Sequence, residues 1–254
     1  MFRKKIFTIL AVVLFAGTGL YAVPVDKIFT SDGVIREGDE YARVFIYDTP
    51  PHRTTVSMFG GRASGILAYD SSILNITGGI AEVTALNQSA INISGGSVHT
   101  LAALDSSSVN VFGGSLYELY AWDTGTVNVF GSANMDILAA REYAVINVSD
   151  GTAERIGVLE SGVINLSGGF ISDGLGASDS GTINVYGYDL AKFSTGGHYG
   201  FGFVSGQWQT GIPFNIDLGS PDTYSRVILY QIPEPATVLL IVIGSIVLRR
   251  RRMF

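Results

Sequence analysis

The sequence contains no cysteine, so no disulfide can staple its fold. The absence says nothing about redox compartment, because an exported protein can do without disulfides. It has only three histidines, and His52, His99 and His198 stand far apart, in no metal-ligand spacing such as His-Glu-x-x-His. Basic residues are scarce: 16 Lys and Arg face 22 Asp and Glu among 254 residues. Seven of those 16 lie in 1–22 and 249–252, so the stretch between carries nine against 22, a net of −13. A phosphate-binding surface needs clustered Lys and Arg, which excludes nucleic acid as a partner of this stretch. Up to Pro235 it has no long apolar run either.

What is present is glycine, 32 residues of it, and a phrase that returns. Ile91-Asn92-Ile93-Ser94-Gly95-Gly96 is followed by Val109-Asn110-Val111-Phe112-Gly113-Gly114 and Val127-Asn128-Val129-Phe130-Gly131. Equivalent phrases centre on Ser57, Asn75, Asn147, Asn165 and Asn184. The steps along this series are 18, 17, 18, 18, 19, 18 and 19 residues. Five residues before each Asn sits a short acidic or amide residue: Asp70, Asn87, Asp105, Asp123, Glu142, Glu160 or Asp179. Ahead of it comes an apolar pair with a period of two, as in Leu101 and Ala103 or Leu119 and Ala121. A third apolar point follows the glycines at Ile80, Val98, Leu116 and Ile171.

Period-two pairs read as short strands with one buried face. Gly-Gly and Asp-Ser or Asp-Thr-Gly read as the turns between them. One repeat is too short for two helices of about 11 residues or for a propeller blade of about 40. The predicted fold is therefore all-β: a single-stranded parallel β-helix of about eight coils over residues 57–188, one coil per repeat of about 18 residues. The usual hand of parallel crossovers favours a right-handed coil, while compact left-handed coils of this length are the alternative. The residues flanking each Asn should point inward and Asn outward, with its amides stacked from coil to coil. Asn75, Asn92, Asn147 and Asn165 fall in Asn-x-Ser/Thr sequons, which the repeat itself generates.

The flanks differ. Residues 23–56 read as an N-terminal cap with an irregular first coil, in which Val44-Phe45-Ile46-Tyr47-Asp48 already matches half a repeat before Pro50-Pro51 interrupts. Residues 189–231 read as a C-terminal β cap of three antiparallel strands near 201–208, 213–218 and 224–230, packing Trp208 and Phe214 over the end of the rod. Residues 1–22 have the pattern of a secretory signal: Arg3, Lys4 and Lys5, then apolar Ile6 to Ala16, then small residues to Ala22. An uncleaved anchor is the alternative, although the run is short for a span of about 20 residues.

Residues 232–254 hold three parts in order. Pro233-Glu234-Pro235 breaks structure, Ala236 to Leu248 is apolar, and Arg249, Arg250, Arg251 and Arg252 form a basic stop. This tail resembles the PEP-CTERM sorting signal of Gram-negative bacteria that carry exosortases. The resemblance implies an exosortase-type membrane processing enzyme as partner, membrane insertion through the tail, and delivery to the cell surface or the exopolysaccharide matrix.

Parallel β-helices also include polysaccharide lyases and hydrolases. A lyase needs a base and cationic groups that neutralise a uronate, but the repeats hold only Arg62, Arg141 and Arg155. A hydrolase needs paired carboxylates, which the acidic series could supply, although a turn-forming role explains it more simply. Calcium could relieve repulsion along that series, yet the β-roll phrase Gly-Gly-x-Gly-x-Asp is absent. The sequence thus points to an exported, non-enzymatic solenoid with no cofactor or metal site. Its candidate contacts for an exopolysaccharide or surface glycan are the aromatics Tyr69, Tyr117, Tyr120 and Trp122.

Overall fold

The repeat becomes two parallel ladders. The computed structural model describes residues 24–233. The first ladder runs β1 (Val25–Phe29), β3 (Glu40–Ile46), β5 (Arg62–Ala68), β7 (Ile80–Ala85), β9 (Ser97–Ala103), β11 (Ser115–Ala121), β13 (Asn134–Ala140), β15 (Thr152–Val158) and β17 (Phe170–Ala177). The second runs β2 (Gly33–Ile35), β4 (Thr55–Met58), β6 (Ile73–Ile76), β8 (Ala90–Ile93), β10 (Ser108–Val111), β12 (Thr126–Val129), β14 (Val145–Val148), β16 (Val163–Leu166) and β18 (Thr182–Phe193). Each coil contributes one strand to each ladder, and the described residues form a β-solenoid of nine coils. The coil formed by β1 and β2 lacks the Asn phrase, so the sequence count stopped one short. Its register with the next coil is nonetheless parallel, Ile28 against Phe45 and Val34 against Ser57.

The second ladder is uniform. Val109 and Val111 are fully buried, their equivalents Ile91, Ile93, Val127 and Val129 likewise, and each Asn lies half-buried between them on the outer face. The Asn side chains form an unbroken chain. Asn92 Nδ2 donates to Asn75 Oδ1 at 2.9 Å, and Asn110, Asn128, Asn147, Asn165 and Asn184 each donate to the preceding Asn at 2.8–3.0 Å. Each amide thus satisfies its neighbour and pins the register of successive coils, because a slip of one residue would break every bond.

The first ladder bends. In β9, Val98, Leu101 and Ala103 are buried while His99 and Thr100 both lie outside. The third apolar point therefore belongs to the same strand as the apolar pair, and a coil has two strands. Ile80 is the exception among the expected core residues. It is 49% exposed, and Ala81 is buried in its stead. The inward position is the second after the glycine pair and Ile80 is the first: it pairs with outward Ser97, while Ala81 pairs with buried Val98.

The turns explain two further columns. Asp70, Asn87, Asp105, Asp123, Glu142, Glu160 and Asp179 all have φ of 54–58°. This is the left-handed region that Asp and Asn tolerate better than most residues. Ser72 N–H closes the first such turn on Tyr69 C=O at 3.1 Å. At the opposite corner Gly79 has φ +91°, and a Cβ on Gly78 would sit 2.4 Å from Phe59 O of the preceding coil. The coil stacking itself demands glycine there.

The C-terminal end is closed. β18 continues past the ladder and pairs antiparallel with β19 (Phe203–Gln207), which pairs antiparallel with β20 (Pro213–Asp217). Trp208 is 2% exposed, stacks on Phe214 at 3.8 Å between centroids, and donates its indole N–H to Gly169 O at 2.9 Å. It is a core residue of the cap. The last segment departs from the expected antiparallel strand. A short helix α1 (Thr223–Arg226) leads into β21 (Val227–Gln231), which pairs parallel with β18, Asn184 against Ile228. It acts as a partial tenth rung because the open edge of β18 offers a parallel template. Among the described residues no helix is long and apolar enough to cross a membrane.

Candidate functional site

The four candidate aromatics separate into three places. Tyr120 points outward near the end of β11, and Trp122 lies one residue past that strand. Tyr117 is on the same strand but before its bend, 47% exposed and stacked on His99 at 5.0 Å. Tyr69 occupies the coil position of Trp122 but three coils away, stacked on Tyr47 at 4.7 Å. The Arg141 guanidinium lies 4.7 Å from the Trp122 ring centroid. Burial, and then Glu118 beside it, push the Tyr120 hydroxyl above its ordinary pKa. Of the sorting motif, Pro233 is exposed. Glu234, Pro235, the apolar run and Arg249–Arg252 lie outside the described residues, as does the signal segment 1–22.

The acidic column forms turns and side-chain bridges between coils. Asn87 N–H is accepted by Asp105 Oδ2 at 2.9 Å, and Asp105 N–H by Asp123 Oδ2 at 3.2 Å. Glu142 shares a side-chain hydrogen bond with Asp123, which holds its carboxyl above the usual range. Among the described residues no group of three or more His, Cys, Asp or Glu comes together that could hold a metal ion.

The described surface has a hollow of about 570 Å³ beside Phe170 and Phe214 and another concave feature on the first ladder, toward its C-terminal end. The second is a groove of about 550 Å³, within the range of about 300–1,000 Å³ of small-molecule sites. Its floor is one outward column in register, Ala139 paired with Gly157 and Gly157 with Gly176, and Tyr120 precedes Ala139 in that column outside the lining. In earlier coils the same column carries Phe45, Leu67, Thr84 and Ala102. Neither Gly157 nor Gly176 has a positive φ. A Cβ on Gly157 would meet nothing within 4 Å, and one on Gly176 only Ile156 O at 3.9 Å. The fold therefore does not require glycine at either place, and the floor is bare backbone.

One wall is polar and fixed. Arg155 Nε donates to Asp173 Oδ2 at 2.8 Å, and its Nη2 to Glu154 Oε1 at 3.2 Å. The Tyr199 hydroxyl, from the cap, donates to the other oxygen of Asp173. That bond, with help from Arg155, holds the Asp173 carboxyl below the usual carboxylate range, and Asp173 in turn raises Tyr199. Asp173 reaches this position through a bulge. Ala153 pairs with Ile171 but Arg155 with Gly174, so β17 carries one extra residue there. The end wall is Gly219 and Ser220 of the cap, tied down by Gly219 N–H to Leu175 O at 2.7 Å.

Sequence reasoning missed Arg155, Asp173, Gly157, Gly176 and Tyr199 as one site. Two signals were available: the 19-residue step from Asn165 to Asn184, and glycines at an outward strand position with no turn to serve. Tyr199 had none, because its placement depends on the cap.

No family model matches the chain, and comparison with curated proteins and with solved structures returns no match.

Proposed function

We propose that this is an exported, non-enzymatic solenoid that is sorted through its PEP-CTERM-like tail to the cell surface or exopolysaccharide matrix. There it serves a structural or adhesive role. The observation that carries this reading is the junction of rod and tail. Ile232 N–H is bonded to Gly187 O at 2.8 Å, and Gln231 Oε1 accepts from Leu190 N–H at 2.9 Å. The last rung is thus pinned to Ile232, and Pro233 is exposed immediately after it. A processing enzyme at that point would meet its motif beside a rigid body and not within the fold. The non-enzymatic part is supported by the chemistry of the acidic series, whose members sit one per coil at left-handed turn positions.

The test places one tag before Gln231 and another after Phe254, and follows both by immunoblotting of membrane and extracellular fractions. Loss of the C-terminal tag from surface or released protein is expected, with retention of full-length protein when Pro233-Glu234-Pro235 is replaced by three alanines. Equal size and location for both proteins would leave only a membrane tether.

A further inference from the structure

We propose that the groove over Ala139, Gly157 and Gly176 binds a short segment of a neutral saccharide. This rests on the adhesive part of the reading above and not on its sorting part. The floor is flat because two successive coils present glycine where neither φ nor crowding asks for it. Glycine in a strand interior weakens it and often marks a close approach by a ligand. The aromatic residue that lines the groove is Tyr199, Gly219 and Ser220 of the cap close one end, and Tyr120 precedes Ala139 in the same register column. An apolar floor with an aromatic edge suits the C–H faces of a sugar ring. The polar wall suits its hydroxyls, because Arg155, Asp173 and Tyr199 fix donors and acceptors in one place.

Charge selects the class further. Arg155 is already bonded to both Asp173 and Glu154, so the wall carries one more negative than positive charge. A phosphate or uronate would meet repulsion there. An extended peptide finds no free edge to add to as a strand, since β15 is paired on both sides and the outer edge of β17 is taken by the cap through the Leu175–Leu218 bridge, Gly219 N–H on Leu175 O and Ala177 N–H on the Thr223 hydroxyl. A hydroxyl-rich, uncharged ligand remains.

The test uses the full-length chain and titration calorimetry with short oligomers of glucose, galactose, mannose and N-acetylglucosamine. Galacturonate and glucuronate oligomers serve as charged counterparts. Gly157→Phe and Gly176→Phe plug the floor in two independent places, and Phe45 shows that the column accepts such a ring. Thr84→Phe is the control in the same column outside the groove. At least one neutral oligomer should bind, each plug should weaken it by roughly tenfold or more, and the control should bind as the unmodified protein does. Circular dichroism and thermal melting confirm that all three variants fold. Binding that both folded plugs leave intact would remove the groove while the adhesive reading stood. Preference for the uronates would overturn the neutral class. No binding by the unmodified protein would overturn groove and adhesive role together. None of these results touches the sorting reading, because Gly157→Phe should fractionate in cells like the unmodified protein.

Discussion

The two ladders of the solenoid are built from the same repeat and differ in tolerance. On the Asn ladder the strands from β6 to β16 repeat one burial pattern, in register and without a bulge. On the other ladder the register shifts at Ala63/Ile66, Ala81/Val83 and Ala153/Arg155. One outward column of that ladder runs from Phe45 through Tyr120 to Gly176. A side-chain ladder that bonds coil to coil leaves no freedom to vary, since each Asn from Asn92 to Asn165 has an Asn partner on either side. A face with no such chain is free to carry aromatics, charges or nothing. The Asn ladder is the spine, and the groove lies on the other face.

The comparison is broken most severely by a change of phase. Deleting nine residues, 110–118, should set apolar strands opposite turns and abolish the cooperative transition seen by circular dichroism. Deleting the single coil 110–127 should leave a shorter folded rod, because each coil contacts mainly its neighbours. Equal folding of the two would sink the account of the repeat.

Next come substitutions on the spine. Val111→Asp buries a lone charge at a fully enclosed site and should cost at least about 3 kcal/mol in urea denaturation. Asn110→Asp, on the outer face, loses its donor to Asn92 Oδ1 and should cost about 1–2 kcal/mol. A smaller cost for Val111→Asp would mean that the inner and outer faces are reversed.

Glycine sharpens the contrast further. Gly78→Ala drives a Cβ against Phe59 O at 2.4 Å and should lower stability by about 1–3 kcal/mol. Gly157→Ala finds open space and should change it by no more than about 1 kcal/mol, in the stabilising direction. Thermal melts of the two variants would show whether stacking demands glycine at one corner and leaves it optional on the groove floor.

The smallest effect concerns the link between groove and cap. Hydrogen bonds from Tyr199 and Arg155 depress the Asp173 pKa. Its folded form therefore binds fewer protons than the unfolded chain, so its contribution is full above the unfolded carboxylate value near 3.9. That contribution is lost as pH falls through the lower folded value. The stability difference between the unmodified protein and Tyr199→Phe should therefore narrow from about pH 6 to about pH 3. A constant difference would mean that the hydroxyl bond does not depend on the charge of Asp173.

Much of this was legible in the residues because the signals were local and repeated. The alternation in Val109-Asn110-Val111 set the inner and outer faces. The acidic residue before each phrase marked a turn, and its positive φ follows from Asp and Asn tolerating that conformation. The first coil was harder to see because Gly33-Val34-Ile35 contains no Asn phrase, and only pairing with β4 reveals it as a rung. Ile80 was misplaced because hydrophobicity was read ahead of register: it pairs with Ser97, one place before the inward position that Ala81 fills opposite Val98.

By itself the sequence determined the architecture: a stack of coils of about 18 residues, Asn outside, branched apolar residues inside, and atypical ends. Local periodicity suffices for that, because every coil solves the same burial problem against its neighbours. Only the tertiary structure decided the direction of β21, the position of Tyr199 beside Asp173, and the alignment of Ala139, Gly157 and Gly176 into one floor. Each of these depends on residues far apart in the chain, and their meeting depends on how the bulge in β17 and the returning cap bring separate coils together.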